Sequence, residues 1–144
     1  MYSQRVRDIM ERKKILTASP ETTVSEAAKL MAAKKISAVM VIENKSLVGI
    51  FTERDAVSRV IAQDRDVRNT RLSDVMTSGP KTIGPDKSFG YALLLMHENG
   101  FRHVPVIEEG VVVGMVSARN ALDPDLEEFT SESHRREQII RDRD

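Results

Sequence analysis

The sequence predicts an α/β (α+β) fold made of two pseudo-symmetric repeats, each with the element order β-α-β-β-α. The first observation is an internal duplication: segment 49–55 (GIFTERD) returns as segment 114–120 (GMVSARN), an offset of 65 residues (114 minus 49). The second is that strand-like and helix-like patterns follow one another in the same order in both copies. A domain of half the 144 residues buries too little surface to be more than marginally stable, so we expect the two halves to fold as one unit.

Each repeat is predicted to begin with a short amphipathic helix and a short strand. The helices lie at 3–10 and 72–76, where apolar side chains recur on one side. The strands follow at 15–18 and 81–84, and a proline terminates each of them.

A longer helix comes next in each repeat. Thr23 and Glu26 have the spacing of a capping box, in which a hydroxyl and a carboxylate satisfy free backbone N–H groups at a helix start. The inward face of this helix is predicted to consist of Val24, Ala27, Ala28 and Met31. Its counterpart at 86–98 has the same spacing of Phe89, Ala92, Leu93 and Met96, with Gly100 as a left-handed C-terminal residue.

A β-hairpin and a second helix complete each repeat. Val and Ile dominate the hairpin arms, which suits strands covered on both faces, at 38–43, 47–52, 104–108 and 111–117. After Thr52 the pattern becomes helical as far as Gln63, with an inward face of Ala56, Val57, Val60 and Ile61. Pro124 interrupts the corresponding helix that begins at Ala118, because proline lacks an N–H and clashes with the preceding turn.

These patterns set the predicted organisation of the chain. The units are the first repeat with its leading helix at 1–63, a polar linker at 64–71, the second repeat at 72–122 and a helical tail at 123–144. The tail has few large apolar residues, and we expect it to fray or to dock on a partner.

Composition excludes several classes of function. Lys plus Arg and Asp plus Glu both total 22, so the net charge predicts no attraction to nucleic acid or membrane. Apolar runs are far shorter than a bilayer span, and the N-terminus has no secretory signal, so we expect cytoplasmic residence. There is no cysteine, and the three histidines are not spaced as a metal set. No arrangement of nucleophile, base and oxyanion donors is visible, so we expect no catalysis.

The duplicated segment ends in a hydroxyl and a carboxylate or amide, Thr52 with Asp55 and Ser117 with Asn120. Taken alone, each pair is most simply an ordinary helix cap. Opposite them, at the starts of the middle strands, are 36–38 (ISA) and 101–105 (FRHVP). Together these residues resemble the cystathionine-β-synthase (CBS) domain, and residues 6–122 resemble a tandem CBS pair, or Bateman module.

The resemblance implies a regulatory module that binds an adenosine-containing ligand in two clefts between the repeats. The ligand class is AMP, ADP or ATP, with NAD and S-adenosylmethionine as alternatives. The resemblance also implies a homodimer, formed through helices 24–34 and 56–63 and their counterparts, that signals to an unknown protein target. A ligand can signal in this way only by binding one arrangement better than another.

Positions carried over from the family give two expected clefts. The stronger cleft is expected to use Thr52, Arg54, Asp55, Lys81, Thr82, Phe101, Arg102, His103, Val104 and Pro105. The weaker cleft is expected to use Thr17, Ala18, Ile36, Ser37, Ala38, Ser117, Arg119 and Asn120. A carboxylate accepts hydrogen bonds from both hydroxyls of a ribose diol, whereas an amide has one acceptor oxygen. The cleft at Asn120 is therefore predicted to be weaker, empty or used for a different ligand.

A second hypothesis is that the pair binds no ligand and acts as a dimerisation scaffold, with the tail presenting a surface to a partner. The replacement of Asp by Asn120 and the proline in the last helix motivate it.

Overall fold

The computed structural model describes residues 2–121, and the tail predicted at 123–144, with its break at Pro124, lies outside them. The helices are α1 (Val6–Ile9), α2 (Val24–Lys34), α3 (Glu53–Asp55), α4 (Leu72–Val75) and α5 (Phe89–Asn99). The strands are β1 (Leu16–Ala18), β2 (Ala38–Glu43), β3 (Ser46–Thr52), β4 (Thr77–Ser78), β5 (His103–Glu108) and β6 (Val111–Ser117). A π-helical segment (Ala56–Ile61) continues α3, and a 3-10 helix (Ala118–Ala121) follows β6. The predicted α/β class is confirmed.

The strands form two sheets. The first has the order β1-β2-β3-β4, with β1 parallel to β2 and the other neighbours antiparallel, and the second is the antiparallel pair β5-β6. The prediction of a strand at 81–84 was wrong. That segment forms only a single parallel bridge, which joins Ile83 to Val106. The Ile83 N–H donates to the Pro105 carbonyl at 3.1 Å. The next rung toward Lys81 would need a donor from Pro105, and proline has no N–H.

The leading helix α1 packs against the second repeat. Val6 and Met10 are buried in one cluster with Phe89. Directly after the helix, Glu11 and Met115 exchange two backbone hydrogen bonds, of 2.9 and 3.0 Å. The segment 5–11 thus adds a helix and a backbone bridge to the core and sheet of the other half.

The helix α4 makes the reciprocal exchange. Leu72 and Val75 are buried in the cluster that contains Phe51, and β4 pairs with β3 of the first repeat. Gly49 permits this approach, because a Cβ at that position would collide with the sulfur of Met76. Since each leading helix completes the core of the opposite repeat, the two repeats depend on each other for folding.

A third cluster joins the two sheets between the repeats. It consists of Ala38 and Met40 from β2, Ile50 from β3 and Met115 from β6. These strands therefore bring the C-terminal ends of β3 and β6 to the boundary where the two repeats meet.

The long helices bury the predicted positions with a few exceptions. Val24, Ala27 and Met31 are buried on α2, but Ala28 is exposed. The helix α5 begins at Phe89 and not at residue 86, because Ser88 accepts a hydrogen bond from Tyr91 N–H at 3.1 Å and forms its N-cap.

The inward face predicted after Thr52 was wrong at two positions. Val60 is fully buried, but Val57 and Ile61 are 59% and 64% exposed. The π-helical segment is the reason, because its i to i+5 hydrogen bonds widen the turn and rotate these side chains away from the core.

Candidate functional site

The first candidate site begins where β3 runs into α3. The Asp55 N–H donates to Thr52 Oγ1 at 3.2 Å, and the Thr52 N–H donates to Asp55 Oδ2 at 3.0 Å. This reciprocal pair is a complete capping box, so the simple helix-cap interpretation describes one function of these residues. The capping box uses only Oδ2 of the carboxylate. The other oxygen, Oδ1, lies 3.6 Å from the Nε of Arg59.

Asp55 lies on the wall of a cavity of about 620 Å³, which we call the Asp55 cavity. Seven of the ten residues predicted for the stronger cleft line it, namely Thr52, Arg54, Asp55, Lys81, Phe101, Arg102 and His103. Thr82, Val104 and Pro105 do not line it. Val104 is fully buried in the core of the second repeat, because it faces the opposite side of β5 from His103.

The Asp55 cavity has wall residues that the sequence analysis did not assign to it, and one of them, Ser37, had been assigned to the weaker cleft. They are Ser37, Ile50, Glu53, Arg59, Thr77, Gly79, Pro80, Asn99 and Gly100. Arg59 lies four residues after Asp55 on the helical segment, and that spacing between a cation and an acid was the available signal. Residues 77–80 carried no such signal, because they reach the cavity only through the pairing of β4 with β3.

Two arginines bridge separate parts of the chain at this cavity. Arg54 donates from Nη1 to the Gly100 carbonyl at 2.9 Å, which joins the first repeat to the C-terminus of α5. Arg59 donates from Nη1 to the carbonyls of Val75 and Met76 at 3.3 and 2.9 Å. Arg59 therefore connects the Asp55 carboxylate to the end of α4, and both repeats contribute to the wall.

A second cavity of about 580 Å³, which we call the Asn120 cavity, lies at the end of β6. Six of the eight residues predicted for the weaker cleft line it, namely Ile36, Ser37, Ala38, Ser117, Arg119 and Asn120. Thr17 and Ala18 do not, because the wall is formed by the residues before them, 14–16. The corresponding residues 79–81 line the Asp55 cavity. In both repeats, the residues that form this wall therefore begin earlier in the chain than the sequence analysis predicted.

Asn120 is buried, with 7% of its surface exposed, and it caps its own junction. Its Oδ1 accepts from the Ser117 N–H at 2.7 Å and lies 3.4 Å from the Ser117 hydroxyl. The single acceptor oxygen of the amide is thus already used within the protein.

The two cavities share a wall formed by Ser37, Arg102 and His103. Ser37 Oγ and His103 Nε2 form a hydrogen bond of 3.0 Å between the two repeats. Burial lowers the pKa of His103 below its usual value, and the positive charge of Arg102 lowers it further. His103 is therefore neutral at pH 7, and the positive charge of the shared wall comes from Arg102.

Neither a metal centre nor a membrane span is found in the described part of the chain. Within residues 2–121, no three His, Asp or Glu side chains are grouped to hold a metal ion. Across the same residues, no helix has the length and apolar character needed to cross a bilayer.

The family model and the similar proteins all indicate the same family for this chain. The CBS domain family model matches residues 6–62 and 72–125. The CBS domain-containing protein YhcV of Bacillus subtilis is 35% identical over 112 residues, which cover 78% of this chain and 79% of that protein. Several other curated relatives are much longer, and this chain spans only 19% or 20% of two of them.

Solved structures share the fold. The CBS-domain containing protein ATU1752 of Agrobacterium tumefaciens aligns with a TM-score of 0.76 and 29% identity, over 85% of this chain and 99% of that chain. The CBS domain protein PAE2072 of Pyrobaculum aerophilum, complexed with AMP, aligns with a TM-score of 0.74 over 81% of this chain and 89% of that chain. At 24% identity, the second likeness shows the fold alone.

Proposed function

This chain belongs to the CBS-domain family, whose paired domains are generally regulatory and non-catalytic modules, and we propose that it senses an adenosine nucleotide bound in the Asp55 cavity. The observation that carries the proposal is the position of the Asp55 carboxylate. The residue is 9% exposed and lines a cavity built by both repeats. One carboxylate oxygen caps the helix, and the other lies 3.6 Å from Arg59 Nε, which lines the same cavity. A carboxylate oxygen there accepts hydrogen bonds from the vicinal hydroxyls of a ribose.

The rest of the cavity supplies contacts for the other parts of a nucleotide. Lys81 and Arg102 lie on the wall and provide positive charge for a phosphate, and Arg54 lies at the junction with Gly100. Phe101 and Ile50 provide apolar surface against which a base packs. A volume of about 620 Å³ is within the range of ligand pockets, roughly 300–1,000 Å³.

The ligand class is AMP, ADP or ATP, with NAD and S-adenosylmethionine as alternatives that share the adenosine. The Pyrobaculum aerophilum protein complexed with AMP has the same fold, which supports AMP as the first compound to test. Because both repeats line the cavity, a bound nucleotide favours the arrangement of repeats that closes on it.

The signal is proposed to pass through a homodimer. Five apolar side chains are 40–64% exposed on the outer faces of α2, the π-helical segment and α5, namely Leu30, Val57, Ile61, Tyr91 and Leu94. Burial of such side chains in a subunit interface removes apolar area from water and stabilises the dimer. The π-helical segment directly follows Asp55, so the ligand site and this surface share one helical element.

Thermal unfolding of the purified chain with each compound tests the function. A ligand at one hundred times its dissociation constant adds about 2.7 kcal/mol to the free energy of unfolding, so at least one of AMP, ADP, ATP, NAD and S-adenosylmethionine should raise the midpoint. Asn120→Ala should keep most of that shift, because Asn120 does not line the Asp55 cavity. If no compound moves the midpoint, the nucleotide proposal fails and the dimerisation scaffold becomes the better hypothesis.

A further inference from the structure

The two cavities are related by the duplication, yet they offer opposite hydrogen-bond chemistry. In the Asp55 cavity, a carboxylate with a second acceptor oxygen lies at the wall. In the Asn120 cavity, the equivalent side chain is an amide whose oxygen already accepts from Ser117. A hydroxyl pair that donates to Asp55 therefore meets no free side-chain acceptor at Asn120.

The orientation of the Asn120 amide follows from its partner. The Ser117 N–H is a donor and lies 2.7 Å away, so the amide atom facing it must be the acceptor Oδ1. This leaves the Nδ2 group with two donor hydrogens, and no hydrogen bond from Nδ2 to any atom of residues 2–121 is formed. Asn120 lines the cavity, so an amide N–H group there matches a ligand that presents acceptors, such as phosphate oxygens.

Positive charge is concentrated around the same cavity. Five cations line the Asn120 cavity, namely Lys14, Lys34, Lys35, Arg102 and Arg119, with Glu11 as its acid. Among residues 2–121, none of these five forms a salt bridge. The Asp55 cavity has four cations, and two acids accompany them, with Arg59 paired to Asp55.

A second pair of equivalent positions also makes the Asn120 cavity more positive than the Asp55 cavity. In the first repeat, Arg54 is bonded to the carbonyl of Gly100. The equivalent positions at the Asn120 cavity are Arg119 and Lys35, two cations that both line it. Both cations attract an anion in the cavity, so a ligand with several negative charges gains most here.

We propose that the Asn120 cavity binds a nucleotide whose ribose bears a phosphate on its 2′ or 3′ oxygen. This proposal rests on the proposed function, because it assigns the second cavity to the same general ligand class. The ester removes one donor hydroxyl and adds acceptor oxygens and charge, which match the Asn120 Nδ2 group and the surrounding cations. An acidic side chain selects a free ribose hydroxyl and a cation accommodates its phosphate in dinucleotide-binding folds, and the same physical chemistry applies here.

Calorimetric titration with adenosine 2′,5′-bisphosphate and adenosine 3′,5′-bisphosphate tests the proposal, with AMP saturating the Asp55 cavity. At least one bisphosphate should bind ten times more tightly than AMP binds at the Asn120 cavity. Inorganic pyrophosphate serves as the probe for charge without a nucleoside. Equal binding of pyrophosphate and the bisphosphates would overturn the proposal, as would bisphosphates that bind no better than AMP.

A variant that gives position 120 the side chain of Asp55 tests the proposal, and a second Asn-to-Asp substitution elsewhere serves as its control. Asn120→Asp should weaken bisphosphate binding at least tenfold and strengthen AMP binding at the same cavity, because the added carboxylate repels the ester and accepts from the diol. Asp55 already occupies the equivalent position of the first repeat, so the fold accommodates this side chain. Asn44→Asp adds the same charge in the exposed β2–β3 turn and should change binding less than twofold. An Asn120→Asp protein with unaltered bisphosphate affinity refutes the proposal.

Two outcomes separate a wrong assignment of the Asn120 cavity from a wrong proposed function for the Asp55 cavity. If AMP binds and Asp55→Ala abolishes that binding, but neither bisphosphate binds, only the assignment of the Asn120 cavity is wrong. If AMP binding is unaffected by Asp55→Ala, the proposed function fails as well.

Discussion

Replacement of Asp55 separates its two possible contributions, the helix cap and the ligand contact. One carboxylate oxygen accepts the Thr52 N–H at 3.0 Å, and the other lies 3.6 Å from Arg59 Nε at the cavity wall. Asp55→Ala removes both contributions, whereas Asp55→Asn keeps an acceptor for the Thr52 N–H. The protein itself supports that substitution, because Asn120 accepts the Ser117 N–H at 2.7 Å in the equivalent position.

The expected magnitudes follow from the contacts that each variant loses. A hydrogen bond to a charged group contributes about 1.5–3 kcal/mol, and about 1.4 kcal/mol corresponds to a tenfold change in affinity. Both variants should therefore bind AMP at least about tenfold more weakly than the wild type. In the wild type, the Asp55 carboxylate caps the helix by accepting the Thr52 N–H. Loss of this cap in Asp55→Ala should lower the free energy of unfolding by about 0.5–2 kcal/mol, while Asp55→Asn should change it less.

Calorimetric titration with AMP measures the first quantity, and denaturant unfolding without ligand measures the second. The two variants should agree in their weak AMP binding and differ in their stability. If Asp55→Asn binds AMP within twofold of the wild type, the carboxylate is a helix cap alone and the reasoning is refuted.

Three further predictions concern the shared wall and the outer surface. Arg102→Ala should weaken anion binding in both cavities by about two- to fivefold in titrations, since this exposed side chain lines both; an effect at one cavity alone contradicts the shared wall. The pKa of His103 is lowered from the usual 6.5, so the unfolded chain takes up a proton that the folded chain resists. Stability should fall as pH drops below about 6.5, and His103→Gln should reduce that fall in urea unfolding; an unchanged pH dependence contradicts it. Ile61→Lys should shift the protein toward monomer in analytical ultracentrifugation, with the buried Val60 left intact, whereas an unchanged mass rules out this face as the interface.

The features that the sequence predicted are those that depend on local periodicity and on the duplication. The hairpins and the cap at Thr23 follow from residue spacing within one repeat. The position of Asp55 beside a cavity was an expectation carried over from the resemblance to the CBS family. The π-helical segment did not follow, because its hydrogen-bond pattern is not encoded in an apolar period, and Val57 and Ile61 were therefore assigned to the wrong face.

The features that the sequence missed depend on contacts between the repeats. The packing of α1 and α4 on opposite cores brings residues 14–16 and 79–81 to the cavity walls. Arg59 contacts the ends of α4 and Asp55 at once, and the Ser37–His103 bond crosses between repeats. Residue spacing within one repeat carries no information about such long-range pairs.

The most direct test of the central claim compares AMP with 2′-deoxy-AMP and 3′-deoxy-AMP in calorimetric titrations of the wild-type chain. The claim is that the Asp55 carboxylate accepts hydrogen bonds from the ribose diol in a cavity formed by both repeats. Removal of either hydroxyl should weaken binding by about tenfold in the wild type and by less than threefold in Asp55→Asn, because the lost partner is the carboxylate. Equal affinity of the wild type for AMP and both deoxy compounds would contradict the account.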